Sequence, residues 1–223
     1  MANKKVLTWP NPKLRQASLE VSESEDCSML LKDLYDTLNV KNGAGLAAPQ
    51  IGVAKRVVII KSSVFSSVNP DPWPDDENIW VLINPKFELA GESVKWTEGC
   101  LSVPGYTAPV VRKELVNLSY TSYDGQEKTM QVSWPLSGAV QHECDHLDGR
   151  LLLDRTTRYH RDTITKKIKK TIREKKKIRA QIKRQNMVDL HGEHHVRALE
   201  RPKKIRNKNK IKMQKASRKR KKK

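Results

Sequence analysis

The sequence predicts an α+β fold in which antiparallel strands pack around a central helix, followed by a basic C-terminal extension that is helical and then disordered. Three observations carry this expectation. Residues 115–132 alternate about Asp124-Gly125, a two-residue hairpin signal. Residues 28–40 and 136–147 instead carry apolar side chains at helical spacing. The third observation is the distribution of charge. The 223-residue chain has 44 Lys+Arg against 25 Asp+Glu, a net +19. Residues 1–155 hold 16 basic and 20 acidic residues, a net −4, whereas residues 156–223 hold 28 and 5, a net +23. A nucleic-acid-binding label therefore does not fit the first part, and any such role belongs to the last.

Taken in order, Met29, Leu30, Leu34 and Leu38 share one face of a helix over 28–40, which Asn42-Gly43 closes. Val57-Val58-Ile59-Ile60 is the apolar run of a short buried strand. Residues 66–78, with three prolines and four acids, read as a surface loop. Trp80–Ile83 returns to strand and stops at Asn84-Pro85. After the 115–132 hairpin, Pro135 suits the first turn of a helix. All five Trp, both Phe and ten of eleven Pro precede residue 156, so the core is expected within 1–155. Residues 156–188 form a basic amphipathic helix, with Ile164, Ile168, Ile172, Ile178 and Ile182 inside an arc of roughly 120°. Residues 189–223 are polycationic and expected to be disordered. No apolar run reaches membrane-spanning length, and MANKKVLTWP lacks an apolar signal core. Three dispersed cysteines argue for a reducing compartment, and a cytoplasmic monomer is expected.

The sharpest chemical signal is Gln141-His142-Glu143-Cys144-Asp145-His146. On a helix, His142 and His146 are one turn apart and can share a metal ion. Leu136, Ala139, Val140 and Leu147 form an apolar arc into which Glu143 projects, with Gln141 and Asp145 on the far side. A carboxylate in such a place needs a partner or a task. Asp145 and Asp148 are expected to make surface or supporting contacts, and Cys144 to be a packed thiol. A hydrolytic site with two histidines needs a third protein ligand. His160, His191, His194 and His195 qualify by type, but Cys100 within Glu98-Gly99-Cys100-Leu101-Ser102 is preferred. A third segment, Gly43-Ala44-Gly45-Leu46-Ala47-Ala48-Pro49-Gln50, lets backbone approach a ligand closely and adds the Gln50 amide.

Together these segments resemble the three signature motifs of the peptide deformylases: GxGLAAxQ at Gly43–Gln50, EGCLS at Glu98–Ser102 and HExDH at His142–His146. The resemblance spans roughly residues 6–155. It implies that Cys100, His142 and His146 ligate the metal and that Glu143 is the general base and acid. It places oxyanion contacts on the Gln50 side chain and the Leu101 N–H. The implied reaction is hydrolysis of the N-formyl group from N-formylmethionyl peptides, with Fe(II) as the usual metal and Zn, Ni or Co able to replace it. Gly43, Ala44, Gly45, Gly99, Gly138 and Ala139 are candidates to line the substrate pocket. Arg112 is a candidate to hold the peptide backbone, against the reading that it makes a surface ion pair. The +23 segment suggests a tether to the ribosome or its rRNA by counterion release. Two other readings remain at this level: an inactive deformylase-like ribosome- or RNA-binding protein, and an HExxH metallopeptidase.

Overall fold

The alternating pattern resolves into one antiparallel sheet. It is built from β1 (Gly45–Ala47), β2 (Val57–Lys61), β3 (Pro72–Trp73), β4 (Asp76–Gly99), β5 (Thr107–Thr121) and β6 (Glu127–Ser133), in the order β1-β2-β4-β5-β6 with β3 also on β4. The structure is a computed structural model, and it describes residues 4–65, 71–73 and 76–191. Residues up to Ile164 form one unit and those from Thr165 a second.

Helix α1 (Ser28–Lys41) packs on one face of the sheet and α2 (Leu136–Leu147) on the other, which explains the unbroken apolar run of β2. Successive strand residues point to opposite faces. Val58 and Ile60 thus join Val140, Cys144 and Leu147, while Val57 and Ile59 join Leu34 and Leu38. Each fully buried aliphatic side chain contributes about 1.5–3 kcal/mol. Asp26 accepts the Ser28 N–H at the start of α1, and Asn42 ends that helix in the left-handed region at φ 50°.

The structure departs from the sequence reading in several places. Strand β4 does not stop at Asn84-Pro85. The register shifts between Ile83 and Lys86, Asn84 takes φ 51°, and its side-chain amide exchanges two 2.8 Å hydrogen bonds with the backbone of Val21. The proline that lacks a ladder donor thus sits at a bulge, where the Asn84 side chain ties β4 to the backbone of Val21. The β5–β6 turn is longer than expected, because Thr121 pairs with Glu127 and residues 122–126 make the connection. Pro72–Trp73 and the start of β4 lie inside the segment read as a loop. Helix α3 (Leu152–Arg155), with Leu152 and Leu153 buried, was not foreseen. Helix α4 (Arg158–His191) carries the basic amphipathic pattern. Its Ile164 is buried, and Ile172, Ile178 and Ile182 are exposed. Of the segment 189–223 expected to be disordered, residues 189–191 continue helix α4, and 192–223 lie outside the described residues.

Candidate active site

Helix α2 is buried at eleven of its twelve residues, so it is central rather than half-solvated. His142 and His146 project from it toward Cys100, which follows the last residue of β4. One ligand atom from each of the three lies within 4.8 Å of the others. Cys100 Sγ is 3.3 Å from His146 Nε2. His142 Nδ1 meets Glu98 Oε2 at 2.7 Å, which assigns the Nδ1 proton and leaves Nε2 as the ligating nitrogen.

The donor set fits a transition-metal ion. A thiol and two imidazoles converge, as three protein ligands with an open position require. His146 Nδ1 and Glu143 Oε2 are buried without a partner among the described residues. Burial opposes charge on His142, but Cys100 and Glu98 outweigh it and pull its pKa well above the usual histidine value. A proton thus collects where a cation would bring the same positive charge. Burial pushes His146 the other way, toward the neutral form that ligates.

Glu98 and Arg112 hold this arrangement. Arg112 Nε and Nη2 donate to the two oxygens of Glu98 at 2.7 and 2.9 Å, and Nη1 donates to Asp145 Oδ2 at 2.7 Å. Arg155 closes on the other oxygen of Asp145. The Arg112 side chain is 4% exposed and each of its guanidinium nitrogens donates to a buried carboxylate, so it neither lines the substrate cleft nor makes a surface pair. That corrects both readings of this residue: strand register on β5 turns it inward, toward two buried carboxylates, of which Glu98 has no other guanidinium partner among the described residues. Asp145 is likewise buried, whereas Asp148 makes the half-exposed contact expected of it, with Arg56.

Burial pushes the Glu98 carboxyl up, but hydrogen bonds from Arg112 and His142 outweigh it and hold the pKa down at about 2, against an ordinary 4.5. The folded state therefore binds this proton less readily than the unfolded one. The stability is present above pH 4.5 and is lost as pH falls toward 2. We expect wild-type denaturant midpoints to fall between pH 5 and pH 3, with a Glu98 share on the order of 3 kcal/mol over the full span. Glu98→Gln should flatten that dependence; an unchanged slope would assign the acid lability elsewhere.

Glu143 is buried on the same face, and burial raises its pKa to about 7 despite the opposing charge of His142. That value suits proton transfer near neutrality. Gly45 makes room for it: a Cβ there would lie 2.6 Å from Glu143 Oε1. Gln50 is fixed at its other end, since its Oε1 accepts the Ala47 N–H at 2.8 Å. Its Nε2 therefore faces Ser102 Oγ at 3.2 Å, beside Cys100. Among the described residues no acceptor takes the Leu101 N–H.

These groups border one cleft of about 610 Å³. Gly43, Ala44, Gly45, Gly99, Gly138 and Ala139 line it, together with Gln50, Cys100, Leu101, His142 and Glu143. Sequence reasoning missed Val64, Phe65, Trp96, Pro104 and Tyr106 on its walls, because strand and loop residues far apart in the chain meet only after folding. His160 hydrogen-bonds Thr157 and lies outside the ligand cluster; the side chains of His191, His194 and His195 are outside the described residues. Cys144 is a buried core thiol whose pKa burial raises.

The family model described as polypeptide deformylase matches residues 3–162. The peptide deformylase of Rickettsia akari is 35% identical over 167 residues, which cover 74% of this chain and 94% of that protein. That of Azotobacter vinelandii is 35% identical over 176 residues, covering 78% and 99%. The crystal structure of a peptide deformylase from Legionella pneumophila superposes with a TM-score of 0.68 at 31% identity, over 78% of this chain and 98% of that one.

Proposed function

The chain belongs to the polypeptide deformylase family, and on that premise we propose how its own residues carry the reaction. It is a metal-dependent hydrolase that removes the N-formyl group from nascent peptides. The observation that carries the assignment of roles is the convergence of the Cys100, His142 and His146 donor atoms at the wall of a cleft that Cys100, His142 and the Glu143 carboxylate line.

Cys100, His142 and His146 hold the ion, and Glu98 orients His142. A divalent cation bound there supplies Lewis-acid polarisation and a lowered pKa for bound water. Glu143 takes a proton from the attacking water and returns it to the leaving amine nitrogen, so formate and a free N-terminus result. Gln50 Nε2 and the Leu101 N–H donate to the formyl oxygen as negative charge develops on it. Strand β1 lies at the edge of the sheet and its Gly45 lines the cleft, a placement that suits an extended peptide backbone. Fe(II) is the resident ion in this reading. Zn, Ni and Co are chemically admissible at the same thiolate and imidazole donors. Protein purified without oxygen should contain one iron per chain, and Cys100→Ala should lose it; full occupancy in that variant would remove Cys100 from the ligand set.

Residues 1–155 form the catalytic domain, and 156–188 and 189–223 are appended to it. The +23 carried by residues 156–223 tethers the enzyme to the ribosome through rRNA phosphates. Only Tyr159 among them is aromatic, so base stacking adds little. Truncation after Thr165, which keeps the buried Ile164, should abolish cosedimentation with ribosomes at low salt. Cosedimentation that persists would reject the tether. The enzyme acts as a cytoplasmic monomer: three unpaired cysteines suit a reducing compartment, and one chain supplies every group of the site. No helix among the described residues is long and apolar enough to cross a membrane.

A further inference from the structure

Helix α2 carries a glycine, Gly138, one turn before the ligand His142 and on the wall of the cleft. A Cβ there would lie 2.8 Å from Cζ3 and 3.2 Å from Cη2 of Trp134. The missing side chain is therefore replaced by an indole from the segment that precedes the helix. That indole meets the ring of Trp96 edge to face, with centroids 5.0 Å apart and planes at 83°. Trp96 lies on β4, four residues before the ligand Cys100, and it borders the cleft. It is 40% exposed, a large apolar area left to water beside a reaction centre. Exposed indole at a cleft wall, locked by a second ring, is a surface prepared for a ligand side chain.

We propose that Trp96 is a specificity-determining residue that reads the sulfur of the substrate's first side chain, with Trp134 as its positioning residue and Gly138 as the vacancy that admits Trp134. This rests on the deformylase reading above and adds a discrimination to it. A hydrophobic cavity alone distinguishes poorly between a thioether and a hydrocarbon of the same length. Sulfur against an aromatic ring gains an interaction that a methylene lacks. The favoured substrate class is then an N-formyl peptide whose first residue bears a linear thioether, over its norleucine counterpart.

The test compares kcat/KM for an N-formylmethionyl tripeptide and the matching N-formylnorleucyl tripeptide on the metal-loaded full-length protein. The wild type should prefer the thioether, and Trp96→Leu should lower that preference by about two- to twelve-fold, the range of sulfur–aromatic contacts. Trp96→Phe should keep most of it. Trp134→Leu should lower the preference as Trp96→Leu does, because it releases the Trp96 ring. General damage to the site slows both substrates alike and leaves the ratio unmoved. Should Trp96→Leu fail to fold, Trp96→Gln replaces it with the same expected loss. A ratio unchanged in the Trp96 variants, or absent in the wild type, overturns the proposal. If the wild type releases formate from neither peptide, it is the deformylase reading that has failed.

Discussion

Glu143→Gln lowers the turnover of formate release by about 10²–10⁴-fold while the protein keeps its metal. The expectation follows from position and charge. Glu143 lies on the cleft, one residue from a ligand, yet it is not one of the three groups whose donor atoms converge. Its Oε2 is buried and unpartnered among the described residues, and burial raises its pKa to about 7. Gln preserves the volume that Gly45 accommodates and removes the ability to accept a proton from water. Metal analysis alongside the kinetics separates the two roles open to this carboxylate. Retained metal with lost turnover identifies a base, whereas joint loss would make Glu143 a ligand.

Arg112→Met has its largest effect on stability. The guanidinium spans Glu98 and Asp145, and all three side chains are nearly inaccessible to water. Its removal leaves Glu98 without its bidentate partner, although Asp145 keeps Arg155. Breaking a buried pair from one side costs about 3–5 kcal/mol. For a protein of this size that is a fall in Tm of roughly 6–20 °C. Metal affinity should fall as well, by about 10–100-fold, because Glu98 orients His142. Arg112→Lys should be intermediate, since a lysine keeps the charge but cannot form the fork. A Tm for Arg112→Met within 2 °C or so of wild type would remove the network from the stability account.

What the sequence reveals depends on how local the cause is. The His142 and His146 pairing is legible because helical periodicity alone puts them on one side of α2. The apolar run of β2 is legible because both faces of one strand are covered. Cys100 is legible only by its motif, since the long β4–β5 pairing, from Ile83↔Thr121 to Gly99↔Thr107, is what delivers it to α2. Arg112 was misread because an arginine in an alternating strand points either outward or into the core, and only the register on β4 decides. Where β4 continues past Pro85, the Asn84 side chain exchanges hydrogen bonds with the Val21 backbone, which no neighbouring residue announces. Trp96 and Trp134 lie on different elements, and the vacancy at Gly138 that joins them has meaning only in three dimensions.

The most direct test is formate release from an N-formylmethionyl peptide by iron-loaded protein, by the same protein after chelation, and after the metal is restored. Release should be catalytic in the first, lost in the second and recovered in the third, with an N-acetylmethionyl peptide left intact. No formate from the metal-loaded enzyme, or release that survives removal of the metal, would contradict the assignment.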